Sequence, residues 1–193
     1  WKLSNTQVKL FNIDPYANAF NIEANGNCWH RDFPDQSPWV FERKYELDSW
    51  ASVLYLARQI YEINGISNHL DEGYSSAISQ MLKLARVEQR HDRNSYKFYR
   101  NNGVAHDSLS ENGIGAPVDY TGMVYSAFRP SDDACQFGYL VPSNFFFANE
   151  LRNLPRTMSK EILDEANLIS EEIFEGIFNM TNFDTILRTF RPR

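Results

Sequence analysis

The sequence predicts an all-α protein built as a helical toroid, with a functional site at one rim. Four long segments carry apolar residues at helical spacing, and long polar loops rich in aromatic residues separate them. With 193 residues and 42% apolar content, the chain can form one domain with a sizeable core. Loops of this length are uncommon in a compact domain unless they carry function, so we expect the site on the loops.

The predicted helices follow one another through the chain and begin or end at recognisable signals. The first spans 47–63 and ends at Asn64-Gly65, a pair that tolerates a left-handed C-cap. The third follows Pro142, which suits a first helical turn, and the fourth follows Ser159, which can cap a helix. In order, the helices are predicted over residues 47–63, 71–90, 143–153 and 160–177, with a short fifth over 183–189. The long loops cover residues 12–38 and 92–136.

The composition excludes several classes of function. A formal net charge of −6 and a pI near 5.2 disfavour nucleic acid and anionic membrane surfaces as partners, because both recruit basic stripes. No apolar stretch is long enough to span a membrane. Two cysteines, Cys28 and Cys135, are predicted to be reduced thiols rather than a disulfide framework. The compartment is left open, with the cytoplasm slightly favoured over secretion.

Carboxylates are the main candidates for chemistry. The four histidines stand far apart, and no metal-binding, phosphate-binding, dinucleotide-binding or serine-nucleophile motif occurs, so neither a metal nor a cofactor is expected. Aromatic residues make up 15% of the chain and often stand beside charged residues, a combination typical of carbohydrate sites. The alternative is that these aromatic residues simply fill a helical core.

Two clusters of polar residues stand out. In the stretch 39–48, a helix would place Glu42, Tyr45 and Glu46 on one face; the alternative is an ordinary solvated face. In the stretch 128–135, the adjacent Asp132 and Asp133 repel each other, which raises the pKa of one of them if the pair is partly buried. The alternative there is a helix N-cap at Ser131-Asp132.

These stretches resemble glycoside hydrolase family 125, the metal-independent exo-acting α-1,6-mannosidases. The matching stretches occur in the family's order: DPYANAFN (14–21), WVFERKYELD (39–48), EQ with His91 (88–91), GAP (115–117), TGM (121–123) and FRPSDDAC (128–135). The resemblance implies an (α/α)₆ toroid, a mannose-containing oligosaccharide or N-glycan as partner, and hydrolysis of terminal α-1,6-linked mannose. It also implies inversion without a metal, by two carboxyl groups about 6.5–9.5 Å apart.

The resemblance also suggests residue roles. It assigns catalysis to the Asp132-Asp133 pair, with Asp132 as the acid and with Asp133 and Arg129 binding sugar hydroxyls. Further substrate-binding or supporting residues are expected at Asp14, Asn18, Glu42, Tyr45, Glu46, Asp48 and His91.

Two features of the family's pattern have no match in this chain. The family's opening Trp-Leu-Arg-Asp motif is absent, and its base glutamate belongs to a segment later than Arg193. We therefore expect residues 1–193 to be the central part of a single catalytic domain, with about half of the toroid's helical hairpins. Such a chain is expected to show negligible hydrolysis alone and to self-associate through exposed helix faces. The alternatives are a non-catalytic carbohydrate-binding or interaction protein, and a helical toroid acting on glucosides.

Overall fold

The computed structural model describes residues 2–181. Within them the elements are α1 (Lys2–Ile13), β1 (Ala19–Phe20), β2 (Val40–Glu42), α2 (Leu47–Asn64), α3 (Glu72–Glu88), a 3-10 turn (Ala105–Asp107), α4 (Ser110–Gly113), α5 (Val141–Arg152) and α6 (Lys160–Thr181). The element α4 is a tight turn, because two of its residues have left-handed backbone angles. Within the described residues, the two short strands β1 and β2 pair antiparallel. The predicted all-α class is confirmed.

The four main predicted helices correspond to α2, α3, α5 and α6. Gly65 ends α2 with φ +65° and donates its backbone N–H to the Tyr61 carbonyl, as its left-handed C-cap requires. The Asp71 carboxylate caps α3 by accepting the Tyr74 N–H at 3.0 Å. Helix α1 was not predicted, since it buries only a narrow apolar stripe that includes Val8 and Phe11. The predicted helix over 183–189 lies outside the described residues.

The helices pack around one continuous core. Helix α5 lies between α2 and α6, while α3 contacts both α1 and α6. The core centre is aromatic: Trp50 of α2 meets Phe147 of α5 at 6.1 Å between ring centroids and Tyr45 at 4.8 Å. None of the helices in the described residues is long and apolar enough to cross a membrane.

An extended segment, residues 123–128, runs through this core and leads to a surface turn that carries Asp132. All six residues are fully buried. Their backbone groups bond to the surroundings: the Tyr125 N–H donates to the Glu88 carbonyl at 3.0 Å, and the Phe128 N–H donates to the Tyr45 carbonyl at 2.9 Å. Because a buried backbone group must be paired, these bonds fix the path of the segment. The turn that follows is therefore attached to a segment whose backbone is fixed.

Exposed apolar side chains occur on several elements, including Leu3 and Ile13 of α1, Tyr55 and Ile63 of α2, and Leu168 of α6. They are scattered over different helices, and single exposed apolar residues are ordinary on protein surfaces. Self-association through helix faces stays a prediction. Both cysteines are free thiols, as predicted.

Candidate active site

The pair Asp132-Asp133 lies in a hairpin turn. An antiparallel bridge joins Phe128 to Ala134 at its base. The Arg129 N–H donates to the Asp133 carbonyl at 2.9 Å, and the Asp132 N–H donates to the Arg129 carbonyl at 2.8 Å. No helix begins here among the described residues, so the alternative of a helix N-cap at Ser131-Asp132 is wrong. The turn instead projects its side chains from the end of the buried segment.

The two aspartates differ in their surroundings. Asp132 has a left-handed backbone with φ +64°, and its Oδ1 accepts a hydrogen bond from Asn18 Nδ2 at 3.0 Å. Asp133 is tied to its own turn, with Oδ2 accepting from Arg129 at 3.0 Å and from the Ser131 hydroxyl at 2.8 Å. The exposed Asp132 carboxylate therefore faces a neutral amide, whereas Asp133 is compensated by a cation.

The stretch 39–48 is extended up to α2, so Glu42, Tyr45 and Glu46 do not share a helical face. The alternative of a solvated face is wrong as well, because all three residues are buried. Strand β2 ends at Glu42, and backbone bonds link the stretch to distant segments: Asn21 donates to the Trp39 carbonyl at 2.8 Å and Trp29 to the Phe41 carbonyl at 3.0 Å. Alternate side chains of an extended chain point to opposite sides. Glu42 and Lys44 accordingly meet the turn that carries Asp132: Asn18 donates to both Glu42 and Asp132, and Lys44 donates to the Asp132 carbonyl.

Glu46 is a buried carboxyl group at the start of α2. Burial raises its pKa to about 7; the Ser49 hydroxyl, which donates to Glu46 at 3.0 Å, opposes this rise, and the negative charges of Asp48 and Asp132 add to it. Burial also raises the pKa of Asp48, which accepts a hydrogen bond from the Ser143 hydroxyl at 3.3 Å. Glu46 is therefore a carboxyl group that exchanges a proton near neutral pH, as acid–base chemistry requires.

Three of the predicted substrate residues lie deeper. Tyr45 is 1% exposed, and its hydroxyl has no hydrogen-bond partner among the described residues. His91 stacks on Tyr125 at 3.6 Å, with one ring nitrogen 2.6 Å from Glu88 and the other 2.8 Å from the Ile114 carbonyl. Asp14 accepts a hydrogen bond from Arg43 at 2.6 Å. These contacts suit residues that support the site, and a role in binding sugar stays a prediction.

A buried ion network lies behind the turn and was not predicted. Arg100, 3% exposed, donates to both Asp32 oxygens at 2.8 and 2.7 Å and to Glu42 at 2.8 Å. Lys44, 2% exposed, donates to Asp107 at 2.6 Å. Burial raises the pKa of Asp107, but the Lys44 and Asn102 hydrogen bonds outweigh it and lower the pKa to about 2. The network joins both long loops to β2.

An open cavity of about 1030 Å³ adjoins the turn on the side of Arg129. Its lining includes the aromatic side chains of Tyr99, Phe137 and Tyr139 together with the exposed His106. Asp132 is not part of this lining. Among residues 2–181, no group of three histidine, cysteine, aspartate or glutamate side chains is arranged to hold a metal ion.

The mainly helical scaffold, with long loops that carry the candidate site, belongs to the helical toroid class by its structural match. A solved structure of this class is a metal-independent α-mannosidase of Streptococcus pneumoniae in a non-productive complex with α-1,6-mannobiose. It matches with a TM-score of 0.86 and 40% sequence identity over 92% of this chain and 43% of that one. The meiotically up-regulated gene 157 protein of Schizosaccharomyces pombe is 30% identical over 77% of this chain and 33% of its own length.

The sequence model of the metal-independent α-mannosidases, GH125, matches residues 2–187. The chain therefore belongs to glycoside hydrolase family 125, which confirms the resemblance inferred from its motifs. It spans less than half the length of the two relatives described above.

Proposed function

We propose that the protein containing this chain hydrolyses terminal non-reducing α-1,6-linked mannose by an inverting, metal-independent mechanism with two carboxyl groups. The observation that carries the proposal is the position of Asp132: its carboxylate is exposed and is joined to that of Glu42 through Asn18, whose amide donates to Asp132 at 3.0 Å and to Glu42 at 3.4 Å. Family membership supports the reaction, and the α-1,6-mannobiose bound by the pneumococcal relative supports the substrate.

In the proposed mechanism Asp132 is the general acid. Its protonated carboxyl group donates a proton to the glycosidic oxygen while a water molecule attacks the anomeric carbon from the opposite face. The family resemblance assigns the base that activates this water to a glutamate in a later segment. Arg129 and Asp133 are paired at the surface of the same turn, and the proposal assigns both to binding sugar hydroxyls. Because water attacks the face opposite the leaving group, the configuration at the anomeric carbon is inverted.

The test compares Asp132→Asn with its neighbour Asp133→Asn in the full-length protein. General acid catalysis contributes about 10²–10⁴-fold, so we expect a loss of that size for D132N and a loss of about tenfold for D133N. Hydrolysis of α-1,6-mannobiose is followed by proton NMR, which also identifies the first-formed product as the β-anomer if the reaction inverts. D132N activity within threefold of the unsubstituted protein would contradict the assignment. Calorimetric binding of mannobiose without turnover would favour the non-catalytic alternative.

A further inference from the structure

Lys44 connects the buried ion network to the backbone of the candidate acid. Its ammonium group donates to the Asp132 carbonyl oxygen at 2.7 Å and to the Asp107 carboxylate at 2.6 Å. It also lies 5.2 Å from the centroid of the Phe128 ring, at the end of the buried segment. Since the side chain is 2% exposed, the ammonium has few other positions available. The contact with Asp132 is therefore a fixed feature of the turn.

The backbone of Asp132 is held by several contacts of this kind. A positive φ is uncommon for a residue other than glycine, and it persists where the surroundings hold it. Three groups hold Asp132: the Arg129 carbonyl accepts its N–H at 2.8 Å, Asn18 donates to its carboxylate at 3.0 Å, and Lys44 donates to its carbonyl at 2.7 Å. The Arg129 contact lies within the turn itself. Lys44 differs from the other two because it is both buried and charged. Its ammonium group is also held by the Asp107 carboxylate.

We infer that Lys44 is a positioning residue: it fixes the Asp132 peptide so that the Asp132 carboxyl group is held where a leaving oxygen must be protonated. This inference rests on the proposed function. Lys44 acts through the backbone of Asp132 and needs no contact with the sugar. Because displacement of a reacting group by about 1 Å can cost roughly 10²-fold in rate, a loss of this contact impairs the proton transfer selectively.

Leaving-group dependence separates this role from a merely structural one. Lys44→Met, tested in the full-length protein, removes the ammonium and keeps the apolar stem. With α-1,6-mannobiose, whose sugar leaving group requires a proton, we expect kcat/KM to fall by about 100-fold. With 2,4-dinitrophenyl α-mannoside, whose leaving group departs as a stable anion, we expect a change of less than about threefold. A simple loss of folded protein lowers both rates in the same proportion.

Asp107→Asn is the matched control. It disturbs the same network by removing a negative charge that lies 3.4 Å from Arg100. The amide oxygen of the introduced asparagine can still accept the hydrogen bond from Lys44, so we expect the Lys44 contact with the Asp132 carbonyl to be kept. We expect the ratio of the two rates to stay unchanged in D107N. If the single K44M variant does not fold, the double variant K44M/D107N removes one charge of each sign, and the same selective loss is expected from it.

Each outcome decides the inference. A selective loss on mannobiose in K44M or K44M/D107N, with an unchanged ratio in D107N, supports it. Equal losses on both substrates, no loss, or the same selectivity change in D107N overturns it. Absence of turnover of both substrates by the unsubstituted protein refutes the proposed function, and the role of Lys44 in it falls as well.

Discussion

The Glu46 carboxyl group keeps its proton at a pH where an exposed glutamate has lost it. Burial is the main cause of its raised pKa, about 7 against an ordinary 4.5. Between these values the folded protein binds the proton that the unfolded chain has released, so the free energy of unfolding falls as the pH rises through this window. The shift sets an upper limit of about 3 kcal/mol, and partial solvent access reduces the expected effect to about 1–2 kcal/mol.

Glu46→Gln tests this directly because glutamine keeps the shape and cannot ionise. At pH 8 we expect the variant to be more stable than the unsubstituted protein by about 1–2 kcal/mol, and at pH 4.5 the two should agree within about 0.5 kcal/mol. Urea unfolding at both pH values measures the difference. Glu23→Gln, at an exposed position, controls for the change in net charge. Equal stability of E46Q and the unsubstituted protein at pH 8 would show that burial does not raise the pKa of Glu46.

The role of a single residue could be predicted where the residue belongs to a family motif. It could not be predicted where the role depends on a partner far away in the sequence. Asp132 and Asn18 stand in stretches that match the family, so both were singled out from the sequence. Lys44 stands in such a stretch as well, but its role depends on Asp132, which lies 88 positions away in the chain. Arg100 and Asp32 are ordinary charged loop residues by sequence, and one sequence contains no record of which charges meet.

At the scale of elements, α6 packs directly on the backbone that precedes the buried segment. A Cβ added at Gly176 of α6 would lie 2.4 Å from the Thr121 carbonyl oxygen. Gly122 meets α6 just as closely, with an added Cβ 2.3 Å from the Glu172 carbonyl oxygen, and its φ of +88° also requires glycine. The two glycines permit an approach between helix and loop that a larger residue at either position would prevent.

Gly176→Ala reverses the usual effect of alanine in a helix. Alanine is normally favoured over glycine in a helix interior by about 1 kcal/mol. Here overpacking is expected to outweigh this gain and to lower the free energy of unfolding by about 1–3 kcal/mol. Urea unfolding monitored by circular dichroism provides the measurement. Asn167→Ala, at an exposed position of α6, should be neutral or slightly stabilising. A G176A protein as stable as the unsubstituted one would refute the close packing.

Elements with a broad apolar stripe were predicted well, and those defined by tertiary pairing were not. Helix α2 buries Trp50, Leu54 and Ala57 at helical spacing, so periodicity alone identifies it. The stretch before it was considered as a helix, yet its backbone groups pair with residues far along the chain, such as Phe128 with Tyr45. Local pattern carries no information on such pairing, and tertiary contacts override local preference there.

At the scale of the whole molecule, the long loops are part of the core rather than covers over it. The loop 92–136 supplies Tyr96, Phe98, Leu109, Tyr125 and Phe128 to the same apolar cluster as the helices. The loop 12–38 is joined to it through the Arg100 network, in which Asp32 is the partner on that loop. Loops and helices should therefore unfold together, in one cooperative transition.

Arg100→Met tests whether this network stabilises the whole fold. Removing the guanidinium leaves the buried Asp32 and Glu42 without their main cation, and breaking a buried ion pair from one side costs about 3–5 kcal/mol. We expect a loss of that size to appear equally in far-ultraviolet circular dichroism, which follows the helices, and in tryptophan fluorescence. The fluorescence follows Trp29 on the first loop and Trp39 directly after it, as well as Trp50 in the core. Arg156→Met, the same change at an exposed position, should cost less than about 0.5 kcal/mol. Separate transitions by the two probes would show that the loops unfold independently of the helices, because a network that bound them into one unit would make the probes coincide.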